Sequence, residues 1–242
     1  MQTNEQNSTP LKSVLITGAN SGMGRATALR FAAEGWHVLA VDIAKSVHPV
    51  ERNITPVVAD IVDEAALGRA IEQALAGKPR LAAVINAAGI FPTSSLESFD
   101  VELYGRIFDI NVLGSLNVAR IGAKHIGPEH GGAIVFFASV DAFAVSRNQL
   151  LYSASKAAVV SFTRSLSIEL AESRITVNAI APGWVDTEGT RCGGRIEVAI
   201  PGIPLRRAAS VDEIAAWAWN LAHEPSYITG ETICVAGGVF MR

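Results

Sequence analysis

Short, continuously apolar runs alternate with longer helical patterns along the chain, and this alternation limits the possible folds most. The apolar runs are SVLIT (13–17), HVLAVD (37–42), PVVAD (56–60), LAAVINAAG (81–89), GAIVFFAS (132–139), ITVNAIAPG (175–183) and TICVAGG (232–238). Strands without polar alternation are typical of a parallel sheet with helices on both faces. Because βαβ connections are right-handed, the pattern predicts a doubly wound α/β fold.

The chain reads as one domain. Its 242 residues are 49% hydrophobic and 18% charged, which is enough apolar material for a sizeable core. No Pro/Gly/Ser-rich linker divides it, so we predict a single domain over residues 11–242. The polar segment MQTNEQNSTP (1–10) lacks the pattern of a secretory signal, and we expect a disordered lead-in there.

Charge and cysteine content exclude several classes of partner. The formal net charge is -3, so no basic field predicts binding to nucleic acid or to an anionic membrane. No run approaches the roughly 20 apolar residues of a membrane span. Cys192 and Cys234 lie far apart without metal-ligand spacing. We therefore predict no disulfide, no metal site and a cytoplasmic location.

A glycine-rich turn joins the first strand to its helix. The stretch VLITGANSGMGRA contains Gly18, Gly22 and Gly24. Glycines allow positive φ in a tight turn, and they let a pyrophosphate approach the N–H groups at a helix N-terminus. A glycine triplet alone is weak support, but this one follows a first strand and precedes a helix, which favours dinucleotide binding.

Asp42 ends the second predicted strand, 18 residues beyond Gly24. A carboxylate there can accept hydrogen bonds from an adenosine ribose and repel a 2′-phosphate. This position favours NAD(H) over NADP(H). Arg25 and Lys45 lie near enough in sequence to weaken the preference, and a solvated loop acid is the alternative interpretation of Asp42.

The stretch YSASK places Tyr152 and Lys156 four residues apart in a predicted helix over about 148–172. Residues i and i+4 lie on one helix face, so the phenol and the ammonium should point the same way. A nearby cation favours the phenolate and would make Tyr152 a better general base. Taken alone, the pair is equally consistent with a chance helix surface.

Three motifs in order carry a family resemblance: Thr17-Gly18-x-x-x-Gly22-x-Gly24, NAAG at 86–89 and YSASK at 152–156. Together they resemble the short-chain dehydrogenase/reductase family over nearly the whole chain. The resemblance implies a Rossmann-type domain with a parallel sheet of about seven strands, and a homotetramer. It also implies a catalytic set of Asn111, Ser139, Tyr152 and Lys156, with Asn111 holding a water of the proton relay.

The resemblance extends to the cofactor. It implies that NAD is held by Gly18, Gly22, Gly24, Asp42, Tyr152 and Lys156. It adds other residues at matching positions, which are Ser21, Met23, Asp60, Ile61, Asn86, Ala87, Gly89, Pro182, Gly183, Val185 and Thr187. Hydride transfer at the nicotinamide would be matched by proton transfer at Tyr152. Ser139 would bind the same oxygen, and Lys156 would also bind ribose hydroxyls.

The substrate is less constrained. The resemblance places a short lid near 187–204, in which Arg191 and Arg195 either bind a carboxylate or phosphate or are solvated. Apolar pocket candidates lean towards a small hydrophobic or cyclic secondary alcohol or ketone; they are Phe91, Val140, Phe143, Leu150 and Trp184. The alternatives are a 3-oxoacyl-thioester reductase, a sugar or polyol reductase, and a non-catalytic redox sensor or scaffold. The presence of Tyr152 and Lys156 favours an enzyme.

Overall fold

A seven-stranded parallel sheet forms the centre of the molecule. The computed structural model describes residues 12–45, 53–144, 146–224 and 226–241. The strands lie in the order β3-β2-β1-β4-β5-β6-β7. They are β1 (Ser13–Thr17), β2 (His37–Asp42), β3 (Ile54–Val58), β4 (Leu81–Asn86), β5 (Gly132–Phe137), β6 (Ile175–Pro182) and β7 (Thr232–Val235). The predicted fold class is confirmed, whereas the predicted lead-in over 1–10 lies outside the described residues.

Helices cover both faces of the sheet. They are α1 (Gly22–Ala33), α2 (Glu64–Leu75), α3 (Val101–Phe108), α4 (Ser115–Ile126), α5 (Leu150–Glu169), α6 (Glu188–Arg191), α7 (Arg195–Ala199) and α8 (Val211–Ala222). On β1, Leu15 faces the core shared with α2, α4 and α5, while Val14 and Ile16 face the core shared with α1 and α8. This two-sided burial explains the continuously apolar strands.

The sequence of residues 100–125 has the pattern of one long helix, but the structure interrupts it. A π-helix over Asp109–Gly114 separates α3 from α4. At its centre, the Asn111 side chain is hydrogen-bonded to the backbone of Ile90, and a Cβ on Gly114 would lie 2.6 Å from the Ile61 side chain. A π-helical turn re-aims a side chain without ending the helix, and such turns are frequent at functional sites.

The sheet order reverses between β1 and β4, because β2 and β3 lie on one side of β1 and the later strands on the other. In doubly wound folds, ligands bind in the crevice outside the carboxyl ends of the strands at this reversal. The glycine turn after β1 and the NAAG segment after β4 therefore meet at one place. Among the described helices, none is long and apolar enough to cross a membrane.

Candidate active site

The turn after β1 favours glycine at all three of its positions, since Gly22 also has a positive φ of +47°. Gly18 has φ +63°, and a Cβ on it would lie 2.9 Å from the backbone of Ala88. A Cβ on Gly24 would lie only 2.1 Å from the carbonyl oxygen of Gly18. Ser21, the N-cap of α1, makes no side-chain hydrogen bond to the helix, so the first N–H groups remain available to an anion. The turn therefore fits a bound pyrophosphate.

A cavity of about 430 Å³ opens beside this turn at the carboxyl ends of the strands. The glycine turn contributes Gly18, Ser21, Gly22 and Met23 to its lining. The ends of β2 and β3 contribute Asp42, Asp60 and Ile61. The other predicted residues in the lining are Ala87, Gly89, Tyr152, Lys156 and Thr187. The structure thus brings together most of the cofactor residues predicted from sequence.

Two predicted cofactor residues lie behind the cavity instead. Gly24 packs against the Gly18 carbonyl. The buried Asn86 side chain accepts a hydrogen bond from the Thr17 hydroxyl at 2.6 Å and donates one to the Ser115 hydroxyl at 2.8 Å. Neither residue belongs to the lining. Asn86 therefore ties β1, β4 and α4 together, and its contribution to the site is positional.

Asp42 marks the β2 end of this cavity. Its carboxylate accepts hydrogen bonds from the backbone N–H of Asn20 at 3.0 Å and of Ala44 at 3.2 Å. Within the described part of the lining, Lys156 is the one cationic side chain. Arg25 lines a separate groove beside Gly22, and the exposed Lys45 does not line the cavity. This end of the cavity therefore carries a carboxylate without a cation beside it.

The π-helix holds Asn111 against the loop after β4. Asn111 Oδ1 accepts from the Ile90 N–H at 2.8 Å, while Nδ2 donates to the Ile90 carbonyl at 2.9 Å and to the Ser155 hydroxyl at 3.0 Å. A Cβ on Gly89 would lie 3.2 Å from Asn111 Oδ1 and 3.4 Å from Lys156 Nζ. Asn111 therefore fixes the loop that borders the cavity, and its role in a water relay remains a prediction.

Tyr152 and Lys156 share one face of α5, as their spacing predicts. Lys156 Nζ lies 5.8 Å from the centroid of the Tyr152 ring and donates a hydrogen bond to the Phe137 carbonyl at 2.6 Å. Burial lowers the pKa of Lys156 to about 8. Burial raises the pKa of Tyr152 to about 12, and the nearby Asp141 adds to this increase. A hydrogen bond with Ser139 and the positive charge of Arg195 act in the opposite direction.

Burial is the largest influence on the pKa values of both side chains. The expected activation of Tyr152 by Lys156 stays a prediction. In the protein alone, Tyr152 is therefore a protonated phenol at neutral pH, which suits a proton donor.

A second cavity, of about 540 Å³, adjoins the first. Both are lined by Tyr152, together with Met23, Phe91, Ala138 and Thr187. Ser139 lines only the second cavity, as do the predicted cofactor residues Pro182, Gly183 and Val185. Tyr152 therefore stands where a cofactor in one cavity would meet a substrate in the other.

Comparisons with known proteins agree with this geometry. A family model described as enoyl-(acyl carrier protein) reductase matches residues 18–240. The 3-oxoacyl-[acyl-carrier-protein] reductase FabG of Thermotoga maritima is 33% identical over 239 residues, covering 94% of this chain and 97% of FabG. The 3-oxoacyl-[acyl-carrier-protein] reductase MabA of Mycobacterium bovis is 34% identical over 233 residues, covering 95% and 93%. The chain is a member of the short-chain dehydrogenase/reductase family.

Solved structures extend the likeness to the fold and to a bound cofactor. ElxO with NADP bound matches with a TM-score of 0.86 and 27% identity, covering 94% of this chain and 98% of ElxO. A variant of ElxO with NADPH bound matches equally well, at 28% identity. This short-chain dehydrogenase/reductase is therefore an oxidoreductase with a dinucleotide cofactor. The glycine turn and the open N-terminus of α1 fit that cofactor.

The second cavity, called the substrate cavity below, is lined by only some of the apolar residues predicted for the substrate pocket. Phe91, Val140 and Trp184 line it. Phe143 instead stacks on Phe240 at 5.3 Å between ring centroids, and Leu150 is exposed outside the cavity. Leu150 begins α5, so its side chain leaves the helix on a different face from Tyr152.

Sequence reasoning missed one polar residue of this dehydrogenase/reductase site. Gln149 lines the substrate cavity one helical turn before Tyr152 and is only 3% exposed. Its Oε1 is buried and has no hydrogen-bond partner among the described residues. Its sequence position could have indicated it, because Gln149 lies three residues before Tyr152 and residues three apart in a helix share a face. Of the two arginines in the predicted lid, only Arg195 lines the cavity, whereas Arg191 is exposed and paired with Asp186.

Proposed function

We propose that the protein interconverts a ketone and a secondary alcohol with NAD(H), using Tyr152 as the general acid and base. The observation that carries this proposal is the position of Tyr152 in the lining of both cavities, beside Ser139. The catalytic set also includes Lys156, which lines the cofactor cavity, and Asn111, which holds the loop beside it. A non-catalytic sensor would have no need of a buried proton donor facing a second cavity.

The chain's own residues account for the proton chemistry. A nicotinamide, when bound, supplies or accepts the hydride. In reduction, Tyr152 donates its proton to the carbonyl oxygen, and the raised phenol pKa keeps that proton in place at neutral pH. The Ser139 hydroxyl hydrogen-bonds the same oxygen and stabilises its developing charge. In oxidation, the phenolate form of Tyr152 takes the proton from the alcohol.

The proposed cofactor is NAD(H) because Asp42 faces its cavity without a cation beside it. A 2′-phosphate at that position would meet a carboxylate, which disfavours binding. NADP(H) is the alternative, since ElxO is found with NADP bound.

Fluorescence titration with NADH and NADPH tests the cofactor. We expect the protein to bind NADH more tightly, and Asp42→Ala to lose most of that preference. Asp60→Ala is a matched control because its carboxylate lines the same cavity, and it should weaken both cofactors alike. Tighter NADPH binding by the unaltered protein would contradict the Asp42 argument.

For the substrate, the relatives favour one of the alternatives over a small cyclic alcohol. FabG and MabA are named as 3-oxoacyl-[acyl-carrier-protein] reductases. A cavity of about 540 Å³ is large for a small alcohol, and its apolar walls fit an acyl chain better than a sugar. We therefore propose 3-oxoacyl thioesters as the substrate class. Oxidation of NADH with acetoacetyl-CoA, cyclohexanone and a ketose should show a preference for acetoacetyl-CoA, and equal turnover of cyclohexanone would contradict this class.

The lid, the assembly and the location also remain proposals. We propose that residues 187–204 close over the substrate, and that the protein is a cytoplasmic homotetramer. Large apolar side chains support an assembly because they are strongly exposed near α3 and on α5, as in Leu96, Val101 and Ile168. Sedimentation equilibrium measures the assembly directly, and a monomer at micromolar concentration would contradict it.

A further inference from the structure

Arg195 differs from the other arginines between Asp186 and Val211. Arg191 is paired with Asp186 at 2.5 and 2.8 Å, and Arg207 with Glu213 at 2.7 and 2.8 Å. Arg206 donates to the Pro201 carbonyl. The half-buried Arg195 has no carboxylate within 4 Å and no hydrogen bond among the described residues. Its guanidinium is therefore available to a ligand.

The Arg195 guanidinium is held in the substrate cavity. Its central carbon lies 5.8 Å from the centroid of the Trp184 ring, and both residues line the cavity. An arginine over an indole face is stabilised electrostatically, while the N–H groups at its edge stay free to donate. Those donors suit the oxygen of a carbonyl or carboxylate. Trp184 thus positions Arg195 before any substrate arrives.

This guanidinium also lies within electrostatic reach of the proton donor. Its positive charge lowers the pKa of Tyr152, whereas the negative charge of Asp141 raises it. Asp141 is already engaged, because it accepts a hydrogen bond from the Ser146 hydroxyl at 2.5 Å. A substrate whose only polar atom is the reacting oxygen would leave both Arg195 and the buried Gln149 amide unmatched, which costs affinity.

We propose that Arg195 binds the C1 oxygen of a 3-oxoacyl substrate, two carbons from the carbonyl that Tyr152 protonates. This inference rests on the proposed function and adds a specificity-determining residue to it. The shared chemistry is an acyl oxygen, present in a thioester and in a free 3-oxo acid. Arg195 therefore distinguishes acyl substrates from plain ketones.

The test compares three substrates in steady-state NADH oxidation. Acetoacetyl-N-acetylcysteamine is an uncharged thioester without phosphate, acetoacetate is the free acid, and 2-pentanone lacks the C1 oxygen. We expect Arg195→Met to raise KM about 10- to 100-fold for the acyl substrates, as for loss of a hydrogen bond to a charged group, and to leave the KM for 2-pentanone unchanged. Arg195→Lys should recover part of the loss because it keeps the charge.

Arg191→Met is the matched control, since it removes an exposed, paired lid arginine outside the cavity, and it should leave all three KM values unchanged. A larger effect of Arg195→Met on acetoacetate would identify the free acid as the source of the oxygen, and a larger effect on the thioester would identify the thioester. An equal change for all three substrates, or none, would overturn the role of Arg195. An unaltered enzyme that uses 2-pentanone as well as the acyl substrates would instead refute the proposed substrate class.

Discussion

The cofactor cavity and the substrate cavity share Tyr152 but are built from different parts of the molecule. Around the cofactor cavity, the backbone leaves no room for a side chain: a Cβ on Gly24 would meet the carbonyl of Gly18, and a Cβ on Gly18 would meet the backbone of Ala88. The substrate cavity is walled by the short helix α7 and by half-exposed side chains, including Arg195 and Trp184. The sheet and its glycine turn shape the cofactor cavity, whereas short helices beyond the sheet shape much of the substrate cavity.

This difference separates chemistry from specificity. Strand ends and a glycine turn leave little room for sequence change, so they preserve the place where a cofactor binds. Side chains on short helices can change without disturbing the sheet. We therefore expect substitutions near Tyr152 and the glycine turn to affect turnover and folding, and substitutions in the substrate cavity to affect which substrate is used.

The largest expected effect lies where the two cavities meet. Tyr152→Phe removes the proposed proton donor but keeps the ring that packs edge-to-face on Phe91 at 6.2 Å. We expect kcat to fall by about 10²- to 10⁴-fold, the usual contribution of general acid catalysis, while the Kd for NADH stays the same. Stopped-flow reduction and NADH fluorescence measure the two quantities. Tyr227→Phe alters a fully exposed phenol and should change neither. A Tyr152→Phe enzyme within tenfold of normal kcat would argue against this role.

The fold was accessible from sequence because its signals are local and repeated. Continuously apolar runs predicted all seven strands, and the glycine turn predicted the passage from β1 to a helix. The π-helix was not accessible, since it depends on contacts of Asn111 and Gly114 with residues distant in sequence. The helical periodicity of residues 100–125 does not reveal that one turn within it is π-helical.

The sequence predicted those site residues that belong to recognisable motifs. Tyr152, Lys156 and Asp42 lie where their spacing predicts. The orphaned Gln149 amide and the free Arg195 were less accessible, because the folded chain decides which arginines pair with carboxylates, as Arg191 and Arg207 do. The dominance of burial over the pKa values of Lys156 and Tyr152 was also hidden, because burial is decided by the fold.

Substitutions at two glycines test whether packing constrains the turn beside the cofactor cavity. Gly24→Ala should destabilise the protein by about 3 kcal/mol or more, because the new methyl group meets a backbone oxygen that cannot move aside. Gly68→Ala, in the middle of α2, has its nearest neighbour at 3.9 Å and should stabilise by up to about 1 kcal/mol through helix propensity. Urea unfolding measures both. Equal effects would show that the glycine turn is not constrained by packing.

The buried Lys156 should produce a pH-dependent stability. Its folded pKa of about 8 lies below the ordinary 10.5, so the unfolded chain binds more protons between those values and stability rises with pH there. The stability of the unaltered protein relative to Lys156→Met should therefore increase by up to about 3 kcal/mol from pH 8 to pH 10.5. Urea unfolding at both pH values tests this, with the exposed Lys124→Met as control. A pH-independent difference would mean that Lys156 is not desolvated.

The smallest expected effect concerns two buried polar groups at the start of α5 that have no hydrogen-bond partner among the described residues. Gln149 and Ser153 each bury an oxygen that has no partner among the described residues, but only Gln149 lines the cavity. Replacing an unsatisfied polar group with an apolar one relieves its desolvation cost, so Gln149→Leu and Ser153→Ala should each stabilise by about 1 kcal/mol in urea unfolding. Only Gln149→Leu should also raise KM for a 3-oxoacyl thioester, by several-fold. An unchanged KM would mean that this amide is merely tolerated, and that selectivity for acyl substrates rests on Arg195 without it. Stability gained together with lost affinity is the trade-off expected of a residue kept for its ligand.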